Sequence, residues 1–310
     1  VSRFSVVVPA YNAAADLEEC LKAIFDALPS GGEVVVVDDG SSDGTLEIAR
    51  RYPARVLTGP NRGPACARNS GAGHAQGDIL VFLDADVVPH LNTVRSLVDC
   101  LEGNTDLAAV FGSYDDQPHH PQLVSQFRNL LHHYTHQRGR EEASTFWTGC
   151  GAIRREWFER VGGFRPTVIG IEDVDLGLRV KAAGGRIRLA PSIQAQHRKR
   201  WTLFSMIRTD VWMRAVPWMK LAKENHGLSN DLNTRHADRL SAALVLLAIL
   251  FFWRWEAFLL LLAATAVKAD WHLFLIRKRG FGFALRAAPL HWLYLAYSAA
   301  TFGVMKIRGY

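Results

Sequence analysis

Two carboxylates stand two positions apart in Asp84-Ala85-Asp86, directly after the apolar run 79–83. If the chain leaves strand geometry there, both can face one open edge, and hard oxygen ligands of that kind suit Mg2+ or Mn2+. A divalent ion so held bridges a diphosphate and neutralises the charge that builds as it departs. Alone the tripeptide is a weak signal, since a solvated strand end has the same composition. A second acidic pair, Asp38-Asp39, leaves the run 34–37 and enters Gly40-Ser41-Ser42-Asp43. A carboxylate there can accept hydrogen bonds from a base N–H and from ribose hydroxyls. Helix capping explains Ser42 or Asp43 but not the pair before the glycine. Pro9-Ala10-Tyr11-Asn12 leaves the first apolar run. Tyr11 can stack on a base, although an ordinary strand-to-helix turn reads the same way. Arg62 and Arg68 add two guanidiniums that suit phosphate by bidentate pairing, or that serve in surface ion pairs.

Such residues need a scaffold that carries them to one edge. The runs 4–8, 34–37 and 79–83 are short, apolar and rich in β-branched side chains, and helical spacing follows at 16–27 and 43–52. The alternation predicts βαβ units and an α/β fold with a mostly parallel sheet covered on both faces. Each run ends in polar residues at its carboxyl end, the edge where open α/β sheets bind ligands. Beyond them the pattern predicts helices over 93–101, 122–136 and 173–183 and a strand over 108–112. There is no internal repeat.

The chain has 310 residues, 49% of them apolar and 21% charged, which excludes a disordered chain or a coiled coil. Four widely spaced cysteines without a CxxC exclude a disulfide scaffold and a zinc ribbon, and fit a reducing compartment. The first residues run into a strand-like segment with no signal-peptide pattern. Through position 197 there are 19 Lys+Arg against 24 Asp+Glu; from 198 onward there are 17 against 6. The basic residues of the tail are interleaved with apolar runs rather than clustered on a polar face, which argues for membrane contact and against a nucleic acid polymer. A single helix over 240–267 would span about 42 Å, more than a hydrocarbon core of about 30 Å. Trp253-Arg254-Trp255-Glu256 therefore reads as an interfacial turn. The expectation is a catalytic domain over 1–205, a nucleotide-binding half over 1–115 and an acceptor half over 116–205. An amphipathic membrane-proximal segment over 206–238 follows, then membrane helices near 240–253, 257–276 and 286–306. The first two are short for spanning, so a re-entrant or interfacial arrangement is the alternative, and a soluble helical domain with an apolar core is another. Arg198-Lys199-Arg200 and Arg277-Lys278-Arg279 would hold the catalytic part at the cytoplasmic face of a multi-pass chain.

Taken in order, these motifs resemble the family 2 glycosyltransferases, which have the Rossmann-like GT-A fold. The resemblance runs from Val6-Val-Val-Pro-Ala-Tyr-Asn12 through Val37-Asp-Asp-Gly-Ser41 and Ala67-Arg-Asn69. It continues through Gly77-Asp-Ile-Leu-Val-Phe-Leu-Asp-Ala-Asp86 to Gly163-Phe164 and Glu172-Asp173. It implies a nucleotide-diphospho-sugar donor, with Tyr11 and Asp39 at the base, Arg68 at the nucleotide or its diphosphate, Asp84 at the ribose and Asp86 on the divalent cation. Glu172-Asp173 would supply the general base, Asp173 foremost. Inverting transfer needs a carboxylate opposite the leaving diphosphate, and a helix start keeps one ionised, although helix-start preference alone also explains the pair. Asp175 should point elsewhere. His197 completes the metal shell in some relatives, or packs as an ordinary histidine. Trp147, Gly149, Cys150 and Gly151 would line the acceptor floor with Arg200 and Trp201, Cys150 packing rather than acting as a nucleophile. Processive members carry Gln-x-x-Arg-Trp; here Gln196 and Arg200-Trp201 are one residue too far apart, which favours transfer of one sugar. His132 and His136 have helical spacing but no His-Glu-x-x-His, so they suit a polar cleft better than zinc. Membrane lipid and a lipid-linked acceptor are the expected partners. Two rivals are a sugar nucleotidyltransferase, which would carry a Gly-rich Arg-containing loop in place of Pro9-Ala10-Tyr11-Asn12, and an inactive membrane scaffold, which has no need for Asp39, Asp86 and Asp173 together. The sequence leaves the sugar, the base and the oligomeric state open.

Overall fold

Val6, Val8, Val34, Val36, Val81 and Leu83 face one side of a sheet, while Val7, Val35, Val37, Leu80 and Phe82 face the other. All are buried, as strands covered on both faces require. The computed structural model describes residues 3–224 and 236–309. Its strands are β1 (Phe4–Ala10), β2 (Gly32–Asp38), β3 (Arg55–Thr58), β4 (Ile79–Leu83), β5 (Val87–Pro89), β6 (Leu107–Tyr114), β7 (Glu142–Ala143), β8 (Cys150–Arg154) and β9 (Arg186–His197). Their order is β3-β2-β1-β4-β8-β6-β9-β5, with β7 on β9. The chain winds outward from β1 to β3 and returns to place β4 on the other side of β1. That reversal opens a crevice at the carboxyl ends of β1, β2 and β4.

The expected mostly parallel sheet is corrected to a mixed one. β1, β2, β3 and β4 run parallel, but β8 lies antiparallel to both β4 and β6, and β5 and β7 are antiparallel to β9. β1 also runs two residues past its expected end. Pro9 is tolerated because β4 pairs with β1 only as far as Val7, so no ladder bond on that side is lost.

Helices α1 (Ala14–Ala27), α2 (Thr45–Arg50), α3 (Pro64–His74), α4 (Thr93–Glu102), α5 (Leu123–Gln137), α6 (Arg155–Arg160) and α7 (Glu172–Ala182) precede the tail. The tail holds α8 (Leu203–Arg208), a π-helical segment Thr209–Ala215, α9 (Val216–Glu224), α10 (His236–Leu250), α11 (Glu256–Val267), α12 (Ala269–Arg279) and α13 (Phe281–Ile307). The chain divides into two units, Val1–His119 with Gly139–Lys199, and His120–Arg138 with Arg200–Tyr310. α5, expected in the acceptor half, thus belongs with the C-terminal helices. Part of the expected 206–238 segment, 225–235, lies outside the described residues.

In the second unit, Phe127, Leu130, Trp201, Met206, Trp271 and Leu275 form a core. Arg128 and Tyr297 both reach Asp210 of the π-helical segment, at 2.8 and 2.7 Å. The break between α10 and α11 falls at the Trp253-Arg254 turn, as the sequence suggests. The membrane helices are corrected: α10 and α11, at 15 and 12 residues, reach only about 22 and 18 Å. The helix expected over 257–276 breaks at Lys268, where α11 and α12 bend by 75°. Lys268 is buried there against Asp238 of α10. Among the described residues no single helix is long and apolar enough to cross a membrane.

Candidate active site

β4 ends at Leu83, and Asp84-Ala85-Asp86 makes a turn closed by the Val87 N–H donating to the Asp84 carbonyl at 3.0 Å. The turn sends the two carboxylates apart. Asp84 Oδ1 accepts from Arg68 Nη2 at 2.6 Å, and Arg68 Nη1 donates to Glu172 Oε1 at 2.7 Å. Glu172 opens α7 and fixes its neighbour Asp173, whose Oδ2 accepts the Thr148 N–H at 3.3 Å. Trp147 meets Tyr114 edge-on at 4.7 Å, and Tyr114 at the end of β6 stacks on His197 at 4.1 Å and 8°. His197 ends β9, and its Nε2 lies 3.5 Å from Asp86 Oδ2. The contacts close into a ring within the first unit, from Asp84 round to Asp86.

Burial pushes the Asp173 carboxyl up to about 7, the charge of Glu172 adds to the rise, and Arg68 partly offsets it. Burial also opposes ionisation of Asp86, but His197 and then Lys199 outweigh it and hold that carboxyl below its ordinary value. Burial works against the charge on Arg68 as well, and Asp84 and Glu172 more than compensate, so the guanidinium stays charged. One carboxyl poised near neutrality and one held ionised result.

Several assignments change once partners are visible. Arg68 does not reach outward for a phosphate: its side chain is 6% exposed and clamped by Asp84 and Glu172. Asp84 correspondingly serves the guanidinium rather than a metal shell. Among the described residues no group of three His, Cys, Asp or Glu side chains is arranged to hold a metal. Glu172 is buried against Arg68, so of the acidic pair only Asp173 is not committed to that guanidinium. Asp175 points elsewhere, to Arg165 and Arg179. Asp39 spends its two oxygens on the N–H groups of Arg62 and Gly63 at 2.9 and 2.8 Å, the turn that leads into α3. Tyr11 is exposed beside it, as is the Arg62 side chain, while Pro9 is half-buried and Ala10 buried. Asn12 takes a left-handed φ of 48°, with its Oδ1 accepting the Ser42 N–H at 2.9 Å and tying the ends of β1 and β2 together.

Gly149 and Gly151 make room for the protein's own rings. A Cβ would lie 2.3 Å from Trp147 at Gly149 and 2.4 Å from the Trp147 carbonyl at Gly151. Cys150 is fully buried in β8, where burial pushes its thiol up to about 12, so it packs the core instead of lining an acceptor floor. Arg200 and Trp201 belong to the second unit, where the backbone of Trp201 bonds to Ser125. The sequence reading missed Tyr114 and Thr148. Tyr114 ends a buried strand, the same signal that singled out Asp39 and Asp86.

Asp86 and His197 fit a divalent cation as one oxygen and one nitrogen donor. Their 3.5 Å separation is short enough for one ion bound at about 2.1 Å from each. A small hard ion with few protein ligands leaves its other positions to water and phosphate oxygens.

The sequence profile of glycosyl transferase family 2 matches residues 5–162, and that of the N-terminal domain of galactosyltransferase matches residues 128–202. Glycosyltransferase AglE of Haloferax volcanii is 30% identical over 208 residues, covering 63% of this chain and 67% of AglE. Probable glycosyltransferase YdaM of Bacillus subtilis is 29% identical over 238 residues, 71% of this chain and 56% of YdaM. The chain thus spans only about two-thirds and just over half of these two relatives. Mannosyltransferase PcManGT of Pyrobaculum calidifontis, solved in complex with GDP-Man and Mn2+, superposes with a TM-score of 0.60 at 23% identity, over 96% of this chain and 86% of that one. The GT-A-like architecture is therefore shared. With just over half of its 310 residues matched by the family profile, the chain belongs to glycosyl transferase family 2.

Proposed function

We propose that the first unit moves one sugar from a nucleotide-diphospho-sugar to a hydroxyl or phosphate acceptor, with inversion at the anomeric carbon. The observation that carries this reading is the closed ring, which brings Asp86 and His197, 3.5 Å apart, and a raised carboxyl, Asp173, into one site. Asp86 and His197 would hold Mg2+ or Mn2+, which when bound offsets the charge of the leaving diphosphate. Mn2+ beside GDP-Man in PcManGT supports that choice. Asp173 takes the proton of an attacking hydroxyl, and the Thr148 N–H orients its carboxylate. Tyr11, exposed at the end of β1, offers a face for the base. Trp147, half-buried and held edge-on by Tyr114, offers aromatic surface to the sugar.

Because the base works only when ionised, kcat/KM should fall about tenfold per pH unit below the Asp173 value and level off above it. With that value near 7, the bend should appear close to neutrality in a pH–rate series on donor and acceptor. A profile flat from about pH 5 to 8 would remove Asp173 from the role.

The second unit supports attachment at the cytoplasmic membrane face through shallow insertion of the α10–α11 hairpin. Phe252, Trp253 and Trp255 at its turn are 76, 67 and 72% exposed, and Leu247, Ile249 and Leu250 extend the apolar surface. Trp at headgroup depth and basic residues nearby are what such insertion uses. Co-sedimentation with phosphatidylglycerol vesicles should weaken at least about tenfold in the double variant Trp253→Ser/Trp255→Ser. Unchanged sedimentation would rule the hairpin out as the anchor.

A further inference from the structure

We propose that the second unit contains a binding pocket for a lipid phosphate, a phosphate monoester carried on a hydrocarbon chain. As an identification of the acceptor this rests on the glycosyltransferase reading above; as a binding site it does not. Helices α5, α10, α12 and α13 enclose a cavity of about 610 Å³, well within the size of small-molecule pockets. One part of its wall is apolar and includes Leu131, Ala243, Leu246, Leu295 and Phe302. The other part carries Lys268, Arg138 and Arg239 together with Asp238 and Asp270.

Lys268 is built into the fold: its side chain is only 10% exposed and pairs with Asp238, while the Arg138–Asp270 pair beside it is open to water. An ammonium has three donors, so Lys268 can hold its acid and an anionic oxygen together. Placing a lysine and its partner inside a helical core carries a desolvation penalty that an apolar pair would avoid. An anionic head bound beside them gives the arrangement a use. The chain of the ligand is indicated by the opposite wall: Leu246 lines the cavity and is also 39% exposed, next to Leu247 and Leu250 on the outer apolar surface of α10. A head in the polar end thus leaves a hydrocarbon body along a wall that continues onto surface suited to lipid. A soluble sugar or nucleotide would leave that wall unmatched.

Two sources share this chemistry, an isoprenoid phosphate and a membrane phosphatidic acid. Calorimetric titration of the full chain with farnesyl phosphate, dihexanoyl phosphatidic acid, farnesol and inorganic phosphate separates them. The expected result is saturable binding of at least one lipid phosphate, at least about tenfold tighter than farnesol, as charge-assisted hydrogen bonds provide, and no binding of inorganic phosphate. Preference for farnesyl phosphate identifies an isoprenoid site, and preference for phosphatidic acid a membrane-lipid site. Lys268→Met should remove the advantage over farnesol, Lys268→Arg should retain it, and Ala243→Trp should lose all three lipids by filling the cavity. Equal affinity for farnesol and farnesyl phosphate, no lipid phosphate binding, or full binding by Ala243→Trp would each overturn the proposal. Nucleotide-sugar hydrolysis measured on the same preparation keeps this outcome separate from the fate of the first unit.

Discussion

Replacing Asp173 with Asn should lower kcat by about 10²- to 10⁴-fold while donor KM stays close to the native value. The substitution preserves shape and keeps one oxygen for the shorter of the two N–H bonds, from Val174 at 2.8 Å, while the 3.3 Å bond from Thr148 is given up. The larger loss is the capacity to take a proton. Steady-state kinetics over a pH series adds a readout that a merely structural role would not move: the limb near neutrality should vanish from the residual rate. Stability gives an independent sign. A carboxyl raised from its ordinary 3.8 to about 7 binds its proton more tightly folded than unfolded. Its ionisation therefore takes stability away as pH climbs through that interval. The Asn variant should be at least as resistant to urea as the native chain at pH 8, and loss of donor binding would show that Asp173 holds substrate instead.

The second large effect is on folding. Arg68→Met should cost about 3–5 kcal/mol, because it strands Glu172 as an unpaired buried carboxylate. Arg68 and Glu172 side chains are 6 and 8% exposed, so water cannot replace the guanidinium. Asp84, at 30% exposure, contributes less. Pairing the change with Glu172→Gln should recover much of the loss, since the penalty belongs to the uncompensated charge. Urea unfolding of the two single variants and the double one reads this directly. A loss below about 1 kcal/mol for Arg68→Met would mean the clamp is no more than a surface-like pair.

The contrast between Asp173 and Arg68 shows what residue order can and cannot convey. β1, β2 and β4 were readable because each is an unbroken apolar run ended by polar side chains, and that pattern also located the edge where Asp39, Asp84 and Asp86 gather. β8 and β9 were not. Cys150-Gly-Ala-Ile-Arg154 is small and mixed, and Arg188 and Pro191 interrupt the alternation of β9. Arg68 suggested phosphate because its carboxylate partners lie 16 and 104 residues away. Asp39 suggested a base for the same reason, its partners being the N–H groups 23 and 24 residues on. The apolar run 257–267 concealed the bend at Lys268 because the residue that pairs with that lysine, Asp238, sits 30 residues earlier.

Metal-dependent donor binding at the Asp86–His197 pair is the claim on which the catalytic reading stands. Calorimetric titration of the chain with nucleoside diphosphates, with Mn2+ and with chelator, measures it. The expected result is saturable heat with one nucleoside diphosphate only when Mn2+ is present. His197→Ala should weaken it by at least the roughly 10- to 100-fold that loss of an outer partner brings. Asp86→Ala should abolish it, and Asp173→Asn should leave it intact. Binding that is indifferent to Mn2+, or that survives Asp86→Ala, would contradict the account.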